Sequence, residues 1–287
     1  MDPLDPIDTD TSEFIDLYDE LPVWSAPFGL WILDRCPLGT DLTILDLGAG
    51  TGFLSIELAE RCGPTSNVIA VDPWEAAMLR LRMKVAQRRL TNLRLLAQDA
   101  ATIDLAACSV DVIVSNLGVN NFDDPAAVLR VCSRLAKPGA TFILSTNLVG
   151  HMAEFYEVYR QVLVQTGQSE RLPALERHVN HRATVDSVRG LLEGADFEML
   201  EVVEQSFRLR FADGSAMLRH HFIRLAFLPA WKQIVPDSVA QATFAELEGA
   251  LNALASKRGE LCLTIPAAGF LARRASCPAP LDGLSIG

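Results

Sequence analysis

Residues 46–55 read DLGAGTGFLS, an acid followed by Gly48, Gly50 and Gly52 at alternate positions, with Ala49 between the first two, and then an apolar stretch with helical spacing. A main chain this bare lets a ligand approach the peptide groups themselves. A side chain at Gly48, Gly50 or Gly52 is expected to collide with that ligand. The helix expected to begin near Gly52 turns free N–H groups and its positive dipole end toward the loop, which favours an anionic group such as a carboxylate or a pyrophosphate. Spacing narrows the choice. The dinucleotide fingerprint requires a third glycine three positions after the second, and Phe53 stands there; the Gly-Lys-Ser/Thr of nucleoside triphosphatases is absent as well.

A second set of reactive side chains consists of histidines: His178 and His181 in ERHVNHR, the adjacent His220 and His221 in MLRHHFIR, and His151. Any of them offers a base with an ordinary pKa near neutrality. His181 and His221 are the two assigned here as candidate general bases. On one helix His220 and His221 would point about 100° apart, so only one of them would face a pocket. No cysteine or carboxylate near His178 and His181 completes a zinc set, and no metal is expected. Phe155, Tyr156, Phe222 and Trp231 are candidate pocket walls.

The elements that must position these groups follow from the apolar pattern. LTILDL (42–47), VIAVD (68–72), LRLLAQD (93–99), VDVIVSNLG (110–118) and ATFILSTN (140–147) read as buried strands. Helices separate them: one from Gly52 to Gly63, one after Pro73 reaching residue 90, and one over 124–139. This alternation predicts an α/β fold, a doubly wound Rossmann-like sheet, mostly parallel, with right-handed crossovers. Two helices precede it, over 11–21 and 28–36. After it come helices over 152–165 and 184–195, a long strand over 197–211, helical stretches over 214–235 and 238–257, and a last strand over 261–274. The organisation expected is an acidic arm and leading helices (1–40), a ligand-binding core (41–150), and helical cap insertions with the closing strands of the same domain (151–287).

The stretch ILDLGAGTG (44–52) resembles the first motif of the class I S-adenosylmethionine-dependent methyltransferases. That resemblance implies a seven-stranded sheet with its last strand antiparallel, S-adenosyl-L-methionine as cofactor and S-adenosyl-L-homocysteine as product. It implies that Asp46 lies near the methionine ammonium and that Asp72 takes both ribose hydroxyls. Pro73 and Trp74 would then lie against the adenine, Asp99 and Ala100 would meet its amino edge, and Asn116 and Leu117 would pass beside the methionine. Tyr18 or Trp24 would close over the cofactor. The segments enlarged here, before the first strand and after the fifth, are where this family builds acceptor pockets, which implies methylation of a small organic acceptor at O, N or C. The alternatives are a methyltransferase for protein or ribosomal RNA, a cofactor-binding module without turnover, and a nicotinamide oxidoreductase, against which Phe53 argues.

Composition limits the partners. The 287 residues are 49% hydrophobic, and eight acids without a base in the first twenty residues carry most of the net charge of −11, leaving −3 for the rest. Such a balance disfavours nucleic acid, although five bases in RLRMKVAQRR (80–89) run the other way. No apolar run is long enough to span a membrane and no export signal opens the chain, so a cytoplasmic protein without a membrane partner is expected. Six dispersed cysteines (Cys36, Cys62, Cys108, Cys132, Cys262, Cys277) read as reduced thiols. A homodimer is compatible with all of this.

Overall fold

The computed structural model describes residues 8, 10–20 and 22–275. Most of the acidic arm and Cys277 lie outside the described residues. The chain opens with helices α1 (Ser12–Glu20) and α2 (Ala26–Arg35) and then alternates: β1 (Thr43–Leu47), α3 (Phe53–Cys62), β2 (Asn67–Val71), α4 (Glu75–Arg88), β3 (Leu93–Leu96), β4 (Val110–Asn116), α5 (Pro125–Leu135) and β5 (Ala136–Asn147). There follow α6 (Ala153–Gln165), α7 (Leu172–Asn180), α8 (Val185–Gly194), β6 (Phe197–Phe211), α9 (Gly214–Arg219), α10 (His221–Ala226), α11 (Leu228–Lys232), α12 (Asp237–Arg258) and β7 (Leu261–Arg274).

The strands pair in the order β3-β2-β1-β4-β5-β7-β6, six parallel and one, the last in the chain, antiparallel. β1 lies between β2 and β4, with Ile44 opposite both Val68 and Val112. The strand order therefore reverses beside β1, and the loops after β1, β2 and β4 all leave the same carboxyl edge. In doubly wound sheets that edge is where ligands bind.

Two compact units make up the described chain. The sheet unit comprises Ser25–Ser145, Asp186–Val202 and residues 269–275. Its strands are continuous apolar runs because helices cover both faces; Ile44, Leu45, Val68, Ala70, Ile113 and Val114 are wholly buried or nearly so. Trp31 of α2 lies against Gly269, where an added Cβ would fall 2.6 Å from the indole. The Arg35 guanidinium stands 4.4 Å above that indole and forms a two-pronged bond to Glu201. The helical unit comprises residues 10–20 and 22–24, Thr146–Val185 and Val203–Ala268. There Glu154 of α6 accepts from the backbone N–H and the hydroxyl of Thr264, and Phe155 stacks on Trp231 at 4.0 Å. The first two boundaries between the units fall at 24/25 and 145/146.

Three expectations need correction. The helix over 124–139 stops at Leu135 because Pro138 lacks an N–H and would clash with the preceding turn; residues 136–139 already belong to β5. The stretch over 214–235 is three short helices, interrupted where His220 is extended (ψ 129°) and where Phe227 departs from helical geometry ahead of Pro229. His220 and His221 therefore do not share one helix, and the 100° argument does not apply to them. Helix α7 was not foreseen: His178 lies within it, and His181 is the residue that ends it.

Candidate cofactor site

The glycine loop is pinned to β2 by its own peptide groups. The N–H groups of Gly48 and Ala49 both donate to the Val71 carbonyl, at 2.9 and 3.1 Å, and the Gly50 N–H donates to Asp72 Oδ2 at 2.8 Å. The other Asp72 oxygen accepts from the Trp74 N–H at 2.8 Å, at the start of α4. Each carboxylate oxygen keeps a further lone pair. That is the donor-acceptor balance two adjacent ribose hydroxyls require.

The three glycines answer different needs. Gly48 and Gly50 adopt φ of 71° and 52°, a region costly for residues with a side chain. A Cβ on Gly50 would meet nothing within 4 Å, so its outer face is open to a ligand. A Cβ on Gly52, itself at φ 90°, would instead fall 2.1 Å from a terminal methyl of Leu81 of α4, so a side chain there would have to displace that leucine and bear a left-handed backbone.

Beneath the loop, Asp46 is almost completely buried and accepts from the Ser55 hydroxyl at 2.5 Å. Burial pushes its carboxyl up to about 7, against the pull of the Ser55 bond, and the nearby Asp72 adds to the rise. Burial also raises Asp72, with the Trp74 and Gly50 N–H groups opposing. A cation placed close to this pair would relieve both. The loop, its two acids and its open face thus fit an ammonium-bearing, ribose-bearing ligand better than a second phosphate.

The remaining expected contacts divide between the units. Asp99 is exposed and caps the short turn Ala100–Thr102 by accepting from Ala101 N–H at 2.8 Å; Ala100 is buried. Pro73 is exposed and Trp74 half-buried. Asn116 donates to the Ser25 carbonyl and accepts from Ser145, each at 3.1 Å. Leu117 sits at φ 65°, a left-handed conformation held by its N–H bond to Ser145 O at 2.8 Å. All of these belong to the sheet unit. Tyr18, stacked on Phe14, and Trp24 belong to the helical unit.

The histidines also belong to the helical unit. His181 is exposed, with Nδ1 against the His178 carbonyl, and His221 is exposed at the start of α10. Sequence reasoning names Tyr156, Trp231 and His178 separately but does not bring them together. Its hydroxyl lies 3.1 Å from His178 Nε2, and Trp231 Nε1–H donates to the same oxygen at 3.1 Å. The tyrosine oxygen accepts from Trp231, and the direction of its bond with His178 follows the histidine's tautomer. Burial, with Arg182 and His181 nearby, pushes His178 down to about 4, so it is neutral at physiological pH. His151 is buried and held well below its ordinary value, first by burial and then by Arg182. Its ring is edge-on to Trp24 at 5.5 Å and close to Phe227 at 5.4 Å.

The profile of the methyltransferase-domain family matches residues 38–195, more than half of the chain, and the protein belongs to that family, the class I S-adenosylmethionine-dependent methyltransferases. Similar proteins include the arsenite methyltransferase of Halobacterium salinarum, 28% identical over 59% of this chain and 40% of that relative, and the demethylmenaquinone methyltransferase of Lactococcus lactis, 32% identical over 36% of this chain and 41% of the relative. The chain thus spans about two-fifths of the length of these curated relatives. Among solved structures, a SAM-dependent methyltransferase from Aquifex aeolicus superposes with a TM-score of 0.56 at 17% identity, covering 92% of this chain and 99% of the other, and shares the fold. The family's cofactor is S-adenosylmethionine. Among the described residues no helix is long and apolar enough to cross a membrane.

Proposed function

We propose that the chain transfers a methyl group from S-adenosylmethionine to a small organic acceptor at an O, N or C atom. The observation that carries this reading is the clamp of Asp72 on Gly50, with one lone pair free on each oxygen and Asp46 buried beneath the same loop. Asp72 would hold the ribose, Asp46 would favour the ammonium, and Asn116 and Leu117 would border the methionine chain. Pro73, Trp74, Asp99 and Ala100 would frame the adenine. Tyr18 or Trp24 would shield the cofactor.

S-adenosylmethionine supplies a methyl group on a positively charged sulfur, and the displacement gains most from alignment and exclusion of water. The chain's own residues would bind and orient the acceptor and, where it must lose a proton, take that proton. His181 is suited to this because Nδ1 faces a carbonyl and so carries the hydrogen, leaving Nε2 basic; His221 is the second candidate. A small acceptor accords with the arsenite and quinone-precursor methyltransferases among the relatives. The basic helix α4 offers little to RNA, since Arg88 is paired with Glu60 and Lys84 donates to the Thr51 carbonyl.

The test is incubation with labelled methyl donor and a panel of phenols, amines, quinols and ribosomal RNA. Product S-adenosylhomocysteine and label in a small molecule are expected. Label in RNA alone, or binding of the donor with no turnover on any acceptor, would overturn the reading.

A further inference from the structure

Helix α6, the residues that end α7, and the loop between β5 and α6 carry a group of basic side chains on which no acid among the described residues acts. Arg182 Nη1 is buried and has no hydrogen-bond partner; neither has Nδ1 or Nε2 of His151, whose residue is 1% exposed. Arg182 acts electrostatically on His151, His178 and Tyr156 at once, so these four side chains share one neighbourhood. The acids of α6 and α7 are engaged elsewhere: Glu154 with Thr264, and Glu157 and Glu176 with Arg160. Tyr156 cannot serve as the missing anion, because burial raises its pKa above the ordinary phenol value and keeps it protonated at physiological pH.

A half-buried guanidinium group whose Nη1 is buried without a partner, and a buried imidazole with neither nitrogen partnered, each cost stability. Both costs vanish when a ligand brings an oxyanion: the guanidinium donates to one oxygen and His151, protonated on the facing nitrogen, donates to the other. The flanking surface is aromatic. Trp24 stacks on Phe222 at 5.6 Å and meets Phe227 edge-on at 5.4 Å, beside the His151 ring.

We propose that Arg182 and His151 bind the carboxylate of a small aromatic acid. The inference rests on the methyl-transfer reading only in calling that acid the acceptor; the binding site itself does not depend on the reading.

The probes are benzoate and cinnamate, with benzamide and cinnamamide as neutral isosteres, titrated against the full chain by calorimetry and tryptophan fluorescence. The carboxylates are expected to bind and the amides to bind about tenfold or more weakly, the order expected when a charge-assisted pair is lost. Arg182→Met is expected to abolish this preference and, because it removes a half-buried charge whose Nη1 has no partner, to raise the Tm of the ligand-free protein by about 2 °C or more. Arg182→Lys should restore part of the carboxylate preference. Equal affinity for acids and amides, no binding of either carboxylate at millimolar concentration, or a lowered Tm in Arg182→Met overturns the site. The two readings fail separately. Carboxylate binding that depends on Arg182 without any methylated product would refute the transferase reading alone; methyl transfer to neutral acceptors together with equal affinity for the acids and their amides would refute this site alone.

Discussion

Gly29 of α2 faces Phe53, the first residue of α3: a Cβ on Gly29 would lie 2.3 Å from the phenyl ring and 3.0 Å from Asn116 Nδ2. In dinucleotide-binding loops the glycine that permits close packing stands at the position Phe53 occupies. Here the bulk and the glycine have exchanged places. The ring at the head of α3 is accommodated by a bare patch on another helix.

Gly29→Ala should therefore destabilise the protein by about 1–3 kcal/mol through overpacking. Combined with Phe53→Leu, which makes room for the methyl, most of that loss should return. Urea unfolding of the two single variants and the double variant measures this, and additive losses in the double variant would refute the contact.

Asp72→Ala removes both the acceptor for the Gly50 N–H and the proposed ribose ligand. Binding of S-adenosylhomocysteine, followed by calorimetry, should weaken about tenfold or more while the circular dichroism spectrum stays unchanged. Asp72→Asn retains one acceptor oxygen and should fall between the two. Native affinity in Asp72→Ala would remove the ribose assignment.

Asp46 links cofactor binding to pH. Its folded pKa of about 7 lies above the ordinary aspartate value of 3.8, so it holds a proton across that window and loses it when a cation binds beside it. Between pH 5 and 7 the binding of S-adenosylhomocysteine should release part of a proton, seen as an observed heat that depends on the buffer's ionisation enthalpy. In Asp46→Asn that dependence should disappear. A wild-type heat independent of buffer at pH 6 would argue against an ammonium beside Asp46.

Stability in acid carries two opposing slopes. Asp46, raised on folding, contributes stability below its unfolded pKa that is lost as pH rises toward about 7. His178, lowered to about 4, contributes stability above its unfolded pKa of 6.5 that is lost as pH falls toward 4, and His151 acts in the same direction. Replacing His178 with Gln should therefore make the protein lose less stability between pH 6.5 and 4, whereas Asp46→Asn should steepen the loss. Denaturant midpoints across that range check both signs.

His181→Ala and His221→Ala discriminate between the proposed bases. The variant that removes the working base should lower kcat by about a hundredfold with little change in KM and lose the acid limb of the pH profile. If both variants keep the wild-type profile, the acceptor reacts without either histidine.

The sheet unit was legible because its information is local. A strand buried on both faces must be apolar throughout, a chain reversal with φ near 60° calls for glycine at Gly48 and Gly50, and an acid at a strand end, Asp72, sits beside the loop by register. The helical unit was legible only in part. Nothing local announces the break at His220, which a continuous helical pattern runs straight through. The partnering of Tyr156 with His178 and Trp231, and the burial of Arg182 without an acid, depend on segments remote in sequence being brought together. Burial of a charge has no periodicity to betray it. The neighbour of Gly52 is hidden for the same reason: what fills the space beside it is Leu81, supplied by a helix later in the chain.

The backbone passes between the two units five times, at 24/25, 145/146, 185/186, 202/203 and 268/269. No single truncation of the gene can deliver either unit as an uninterrupted polypeptide. A protease that cleaved one of these crossings would leave a nicked molecule whose fragments still interleave, rather than releasing a separable piece. Each unit must also assemble from stretches distant in sequence, so loop closure precedes much of its packing and refolding should be slow for a chain so rich in helix.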